Sequence, residues 1–250
     1  MSIPPPVPAE PIYRLYAALA NTIPLDPNSG LGGKLLYAGE IDNEGRNLLY
    51  AANIAGAASL AASADPSSLR QAMRDGVIDF FVNSLEEALR ILKNEIRKRQ
   101  TVSVGVAADP NRLVDQMLDR GVLPDLLPNG NRLNPDCLSQ FLQLTSKHIA
   151  EPQFPLGTQF VTWHVDRDFA RWLPHLDECA KAALPPEDYL RHRWLRLAPR
   201  YLGRAAQRQH GVGFTETEFA KFEGCVAELM EQSSAPPEEP CKVTIVPSPL

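Results

Sequence analysis

The alternation of apolar and polar positions says the same thing twice between residues 64 and 127. The first copy reads Ala64-Asp65-Pro66, then Leu69, Met73, Asp75, Gly76-Val77 and Asp79-Phe80-Phe81. The second reads Ala108-Asp109-Pro110, then Leu113, Met117, Asp119, Gly121-Val122 and Asp125-Leu126-Leu127. Each copy predicts a helix with both ends marked. Asp accepts the free N–H groups of the first turn, and Pro fits the first helical position, where no N–H is needed. Gly76 and Gly121 supply the left-handed residue that stops each helix. An apolar run precedes each Asp-Pro (59–62 and 102–107), and a shorter one follows each glycine. Strand, helix, strand, repeated, predicts a right-handed parallel βαβ layer. Between the copies, Ser84 and Glu87 form a capping box. Leu85, Ala88, Leu89, Leu92 and Ile96 then share one face at helical spacing, and the helix ends in Arg97-Lys98-Arg99, as its dipole favours.

The flanking segments are read the same way. Residues 1–11 are expected to be a proline-rich arm and 12–22 a short helix. Residues 34–40 (KLLYAGE) make a first strand, and Asp42 or Asn43 caps a helix of small residues ending Ala55-Gly56. Residues 136–150 are expected to be helical and 160–165 (FVTWHV) to add one further strand. Helices are then predicted over 168–184, 186–210 and 216–232, followed by a linker-like tail with an edge strand at 242–246. The expected class is α/β: a Rossmann-like parallel sheet with helices on both faces, plus a helical C-terminal region. The expected divisions are an N-terminal arm and short helix (1–30), a Rossmann domain (31–166), a helical region (167–232) and a tail (233–250).

Composition narrows the function classes. A net charge of −5 gives no pull toward nucleic acid or anionic membrane, and 44% apolar with 22% charged residues is ordinary for a soluble globular protein. No apolar run approaches a membrane span, and residues 1–8 lack the charged and apolar regions of a signal peptide. Cys137, Cys179, Cys225 and Cys241 stand far apart with no CxxC pair, which reads as free thiols of a cytoplasmic protein.

Other candidates have bland readings. Gly30-Leu31-Gly32-Gly33-Lys34 precedes a strand instead of following one, so it reads as a loop without a phosphate. His164, near Asp166 and Asp168, reads as a structural histidine, since no nucleophile or ligand set accompanies it. Arg196, Arg200, Arg204 and Arg208 recur every four residues and read as a solvated basic stripe. The apolar residues of the C-terminal helices, among them Trp172, Leu176, Trp194 and Leu197, are too many to leave in water. They are expected to pack on the sheet or on a second copy, giving a homodimer.

The segment 34–128 resembles the nucleotide-binding core of the urocanase (urocanate hydratase) family. The residues that carry the resemblance are KLLYAG (34–39), the helix ending Ala55-Gly56, the Asp65-Pro66 helix, the start Leu85-Glu86-Glu87-Ala88-Leu89, Val102-Ser103-Val104-Gly105, and Arg120-Gly121-Val122-Leu123-Pro124-Asp125. The resemblance implies a hydro-lyase fold that holds NAD by a glycine-rich turn after the first strand, with the pyrophosphate at a helix N-terminus. Here that turn reads Gly39-Glu40-Ile41-Asp42-Asn43-Glu44-Gly45-Arg46-Asn47. Gly39 and Gly45 are the retained cofactor-site positions. Glu40, Asp42 and Glu44 bring carboxylates to the place of the diphosphate, with Arg46 able to offset one of them. Ser63 stands where an acidic partner for the ribose is expected. The polar loop that the family carries after the fifth strand is Asn129-Gly130-Asn131-Arg132-Leu133-Asn134 here, and the family's later catalytic segments are absent. The resulting expectation is a relative without urocanate hydratase activity and without tightly held NAD. It would bind a small molecule or protein partner at the former cofactor cleft. The alternative is a urocanase-type enzyme that retains NAD or another nucleotide. Neither nucleic acid nor membrane is an expected partner.

Overall fold

The computed structural model describes residues 9–129, 132–144, 146–166, 168–232 and 243–250. The chain divides into two compact units, Leu15–Gln153 and a second made of Met1–Arg14 with Phe154–Leu250. The helix α1 (Ala9–Thr22) crosses that division, and it already includes residues 9–11 of the expected arm.

The first unit contains β1 (Leu35–Glu40), α2 (Asn43–Ala55), β2 (Ala58–Ser63), α3 (Pro66–Arg74), β3 (Phe80–Val82), α4 (Leu85–Arg97), β4 (Val102–Ala107), α5 (Pro110–Asp119), β5 (Leu126–Leu127), α6 (Pro135–Leu144) and β6 (Lys147–His148). Its six strands are ordered β3-β4-β2-β1-β5-β6, and every pairing is parallel. This is the α/β class expected from the doubled unit. The expected helix 136–150 is shorter than its pattern suggested. It stops at Leu144, and Lys147 and His148 turn into a sixth strand against Leu126 and Leu127.

Alternation along the strands explains the two helical layers. Leu60, Ala62, Val104 and Val106 point into a core closed by Leu85, Ala88 and Leu92 of α4, Leu113 and Met117 of α5, and Phe141 of α6. The opposite positions Ser59, Ala61, Ser103 and Gly105 are small, which lets the other layer approach closely. A Cβ on Gly105 would lie 2.7 Å from Leu69 of α3 and 2.7 Å from Ile78. The capping signals act as read. Gly76 (φ 73°) and Gly121 (φ 64°) are left-handed, and Val77 and Val122 donate back to the carbonyls of Ala72 and Met117. Ser84 Oγ accepts from Glu87 N–H at 3.3 Å, while the Glu87 carboxylate accepts from Asn83 N–H at 2.9 Å.

The second unit contains β7 (Gln159–Val165), α7 (Phe169–Ala183), α8 (Tyr189–Leu202), a 3-10 turn (Gly203–Ala206), β8 (Gln209–Phe214), α9 (Glu216–Gln232) and β9 (Val243–Pro249). Its helices match the expected helical region, but they pack on a separate three-stranded antiparallel sheet ordered β8-β7-β9. The strand at 159–165 therefore belongs to this sheet and not to the Rossmann layer. Residues 209 and 210, expected as the end of a helix, begin β8 instead: Gly211 and Gly213 disfavour helix, and each residue from Gln209 to Phe214 lies opposite a residue of β7. One face carries Trp163 against Phe222 of α9. The other carries Phe160 against Tyr13, with Trp194 Nε1 of α8 donating to Gly211 O at 2.6 Å.

Cys179 and Cys225 are not free thiols but a disulfide, with Cα atoms 5.6 Å apart, because α7 and α9 lie side by side. Cys137 is free, and Cys241 lies outside the described residues. The pairing withdraws the cysteine argument for a cytoplasmic location; no helix among the described residues is long and apolar enough to cross a membrane. The arginine stripe is not one helical face. α8 continues through Pro199 and stops at Leu202, so Arg208 lies beyond it and only Arg196 and Arg200 are exposed on the helix. The Arg204 side chain and the linker part of the tail, 233–240, lie outside the described residues.

Candidate functional site

In an open parallel sheet, ligands collect at the carboxyl ends of the strands where the strand order reverses. Here that place is the crevice between β1 and β5, which flank each other although β2, β3 and β4 lie between them in sequence. Its first wall is the turn from β1 to α2. Register against β2 shifts between Tyr37 and Gly39, and Gly39 takes a left-handed φ of 79°, which turns the chain toward α2. Asp42 caps α2, its carboxylate accepting from Gly45 N–H at 2.8 Å. A Cβ on Gly45 would meet Glu40 O at 2.0 Å, so only glycine closes this turn.

The second wall, the loop after β5, sends Arg132 across the crevice into that turn. Its Nε donates to Ala38 O (3.3 Å) and its Nη2 to Glu40 O (2.7 Å) and Asp42 Oδ1 (2.8 Å). Nη1 donates to Asp42 Oδ2 (3.1 Å) and Glu44 Oε2 (3.1 Å). Although it sits on a loop, the Arg132 side chain is only 12% exposed. Burial acts to raise the Asp42 carboxyl. The hydrogen bonds from Arg132 and Gly45 N–H, with the guanidinium charge, outweigh it and hold that group below the ordinary carboxylate range. Arg46, expected to offset one of the carboxylates, instead pairs with Asp75.

The other expected positions are accounted for by local structure. Ser63, at the end of β2, is 2% exposed, and its hydroxyl accepts from Asp65 N–H at 3.3 Å. Asp65 caps α3 through Ser67 and Ser68, whose hydrogen bonds bring its carboxyl down to about 2. Asp109 caps α5 through the N–H groups of Asn111 and Arg112. Beyond β5, Asn129 Oδ1 binds His148 Nδ1 at 2.9 Å, and its amide donates to Glu151 at 3.4 Å. Lys34, the end of the glycine-rich stretch 30–34, pairs with Asp125 at 2.9 Å on the amino side of the sheet. Among the described residues of the second unit, His210 pairs with the Asp177 carboxylate at 2.8 Å. No group of three or more metal-ligating side chains occurs among the described residues.

Fold and crevice together define a Rossmann-like domain whose first turn carries two glycines and three carboxylates, with Arg132 seated among them. Residues 16–131 match the family model described as the urocanase Rossmann-like domain, and the parallel sheet of this segment is consistent with a core of that type. Gly39 and Gly45 are brought together in its first turn, and Ser63 lies one strand away, buried. The residue that sequence reasoning passed over is Arg132. Its only signal was a cation in the loop after β5, opposite a turn with three carboxylates.

Proposed function

We propose that this protein uses a urocanase-type Rossmann-like core without NAD-dependent hydration, and binds a small molecule or protein partner at the former cofactor cleft. The seating of Arg132 carries this reading. A dinucleotide needs free N–H groups at the first helix and open space for its diphosphate. Here the N–H of Gly45 is taken by Asp42, and the space beside Gly39 and Gly45 is taken by the Arg132 guanidinium. A diphosphate entering this turn would displace a cation and face the Asp42 and Glu44 carboxylates. The buried hydroxyl of Ser63 offers a ribose nothing. The residues present do not fit NAD.

The test uses the purified full chain. Its ultraviolet spectrum is expected to show no nicotinamide contribution, NAD is expected to leave the melting temperature unchanged, and urocanate is expected to keep its absorbance band. Turnover of urocanate, or NAD carried through purification, would establish the alternative, a hydratase of the urocanase type that keeps its cofactor.

A further inference from the structure

The same turn that excludes a diphosphate is built around a planar cation. Four acceptors converge on Arg132: the carbonyls of Ala38 and Glu40 and the carboxylates of Asp42 and Glu44. They engage all of its nitrogens. The two glycines of the turn make the room, for a Cβ on Gly45 would lie 2.8 Å from Nη2 and one on Gly39 would lie 3.5 Å from Nε. The guanidinium comes from the loop after β5, 94 residues from Ala38, and so ties together the two strands that flank the switch point. A fork with donors in one plane matches this arrangement; a single ammonium cannot reach all four acceptors at once.

We propose that Arg132 is a built-in occupant of the switch-point crevice, an autoinhibitory contact that holds the former cofactor turn shut, in a seat specific for a guanidinium. The crevice then has two states. With Arg132 seated, the turn from Gly39 to Arg46 is closed. With Arg132 withdrawn, the turn opens toward whatever binds the cleft. The inference rests on the reading above that this turn takes no diphosphate.

The experiment compares the wild-type chain with Arg132→Ala and Arg132→Lys by amide hydrogen exchange across residues 39–46 and by melting temperature. In Arg132→Ala, exchange across 39–46 is expected to rise about tenfold or more, the change that losing one charge-assisted hydrogen bond implies. Methylguanidinium at millimolar concentration is expected to restore protection, whereas sodium chloride at equal ionic strength is not. Arg132→Lys keeps the charge without the fork and is expected to lie between the other two, which decides the matter if the alanine variant does not fold. Wild-type exchange in the lysine variant, or equal rescue by sodium chloride, would overturn the latch. Protection of Arg132→Ala by inorganic pyrophosphate would overturn the guanidinium specificity. NAD bound to the wild-type chain would instead defeat the functional reading, so the two failures are distinct.

Discussion

Gly45 shows how one missing Cβ can hold a turn together. In a dinucleotide fold, a glycine near the start of the first helix admits a phosphate. In this chain its missing Cβ admits the Glu40 carbonyl and the Arg132 guanidinium. Gly45→Ala places a methyl group 2.0 Å from Glu40 O, so the turn must shift. The variant is expected to lose about 1–3 kcal/mol or more in urea unfolding, the cost of forcing an extra carbon into a packed place. An unchanged midpoint would mean that the turn is loose. The two glycines and the acidic run were visible in the sequence. Their partner was not, because Arg132 reaches them across 90 residues of chain.

The elements whose ends carry local chemistry are those the sequence announces. Asp65-Pro66 with Gly76, and Asp109-Pro110 with Gly121, mark α3 and α5 because caps depend on neighbours within a turn. The missed elements, β6 and β8, depend on partners far along the chain. β6 is two residues long and exists because Leu126 and Leu127 lie beside it. β8 exists because β7 pairs with it, and it brings His210 opposite Trp163. Those two side chains meet on Asp177 of α7, which accepts from Trp163 Nε1 at 3.1 Å and binds His210 Nδ1. Asp177→Ala would leave the buried Trp163 Nε1 and the half-buried His210 without that partner. The expected cost is about 2–3 kcal/mol, read as a shift in the urea midpoint. A change within error would show that the strand and helix are held by apolar packing alone.

For the whole molecule, the composition suggested an ordinary α/β protein with free cysteines, and the structure adds a covalent tie. The Cys179–Cys225 disulfide joins α7 to α9 across 46 residues of sequence. Closing a loop of that length removes about 3–4 kcal/mol worth of unfolded-state freedom. Cys225→Ser is therefore expected to lower the unfolding free energy by about that amount, and a reducing agent should bring the wild-type chain to the same midpoint. If reduction leaves the wild-type midpoint unmoved, the two sulfurs do not stay joined in solution.

The repeat, the helix caps and the small-residue strands were readable along the chain because each rests on spacing within a dozen or so residues. They were enough to establish the parallel sheet, the helices on its two faces and the likeness of the core to the urocanase domain. Spacing could not reveal which distant side chains meet. That Arg132 fills the first turn, that Asp177 serves both Trp163 and His210, that two cysteines pair, and that residues 159–165 leave the Rossmann sheet for another all required the folded chain. Each depends on long-range packing, in which direction in space, not order in sequence, selects the partner.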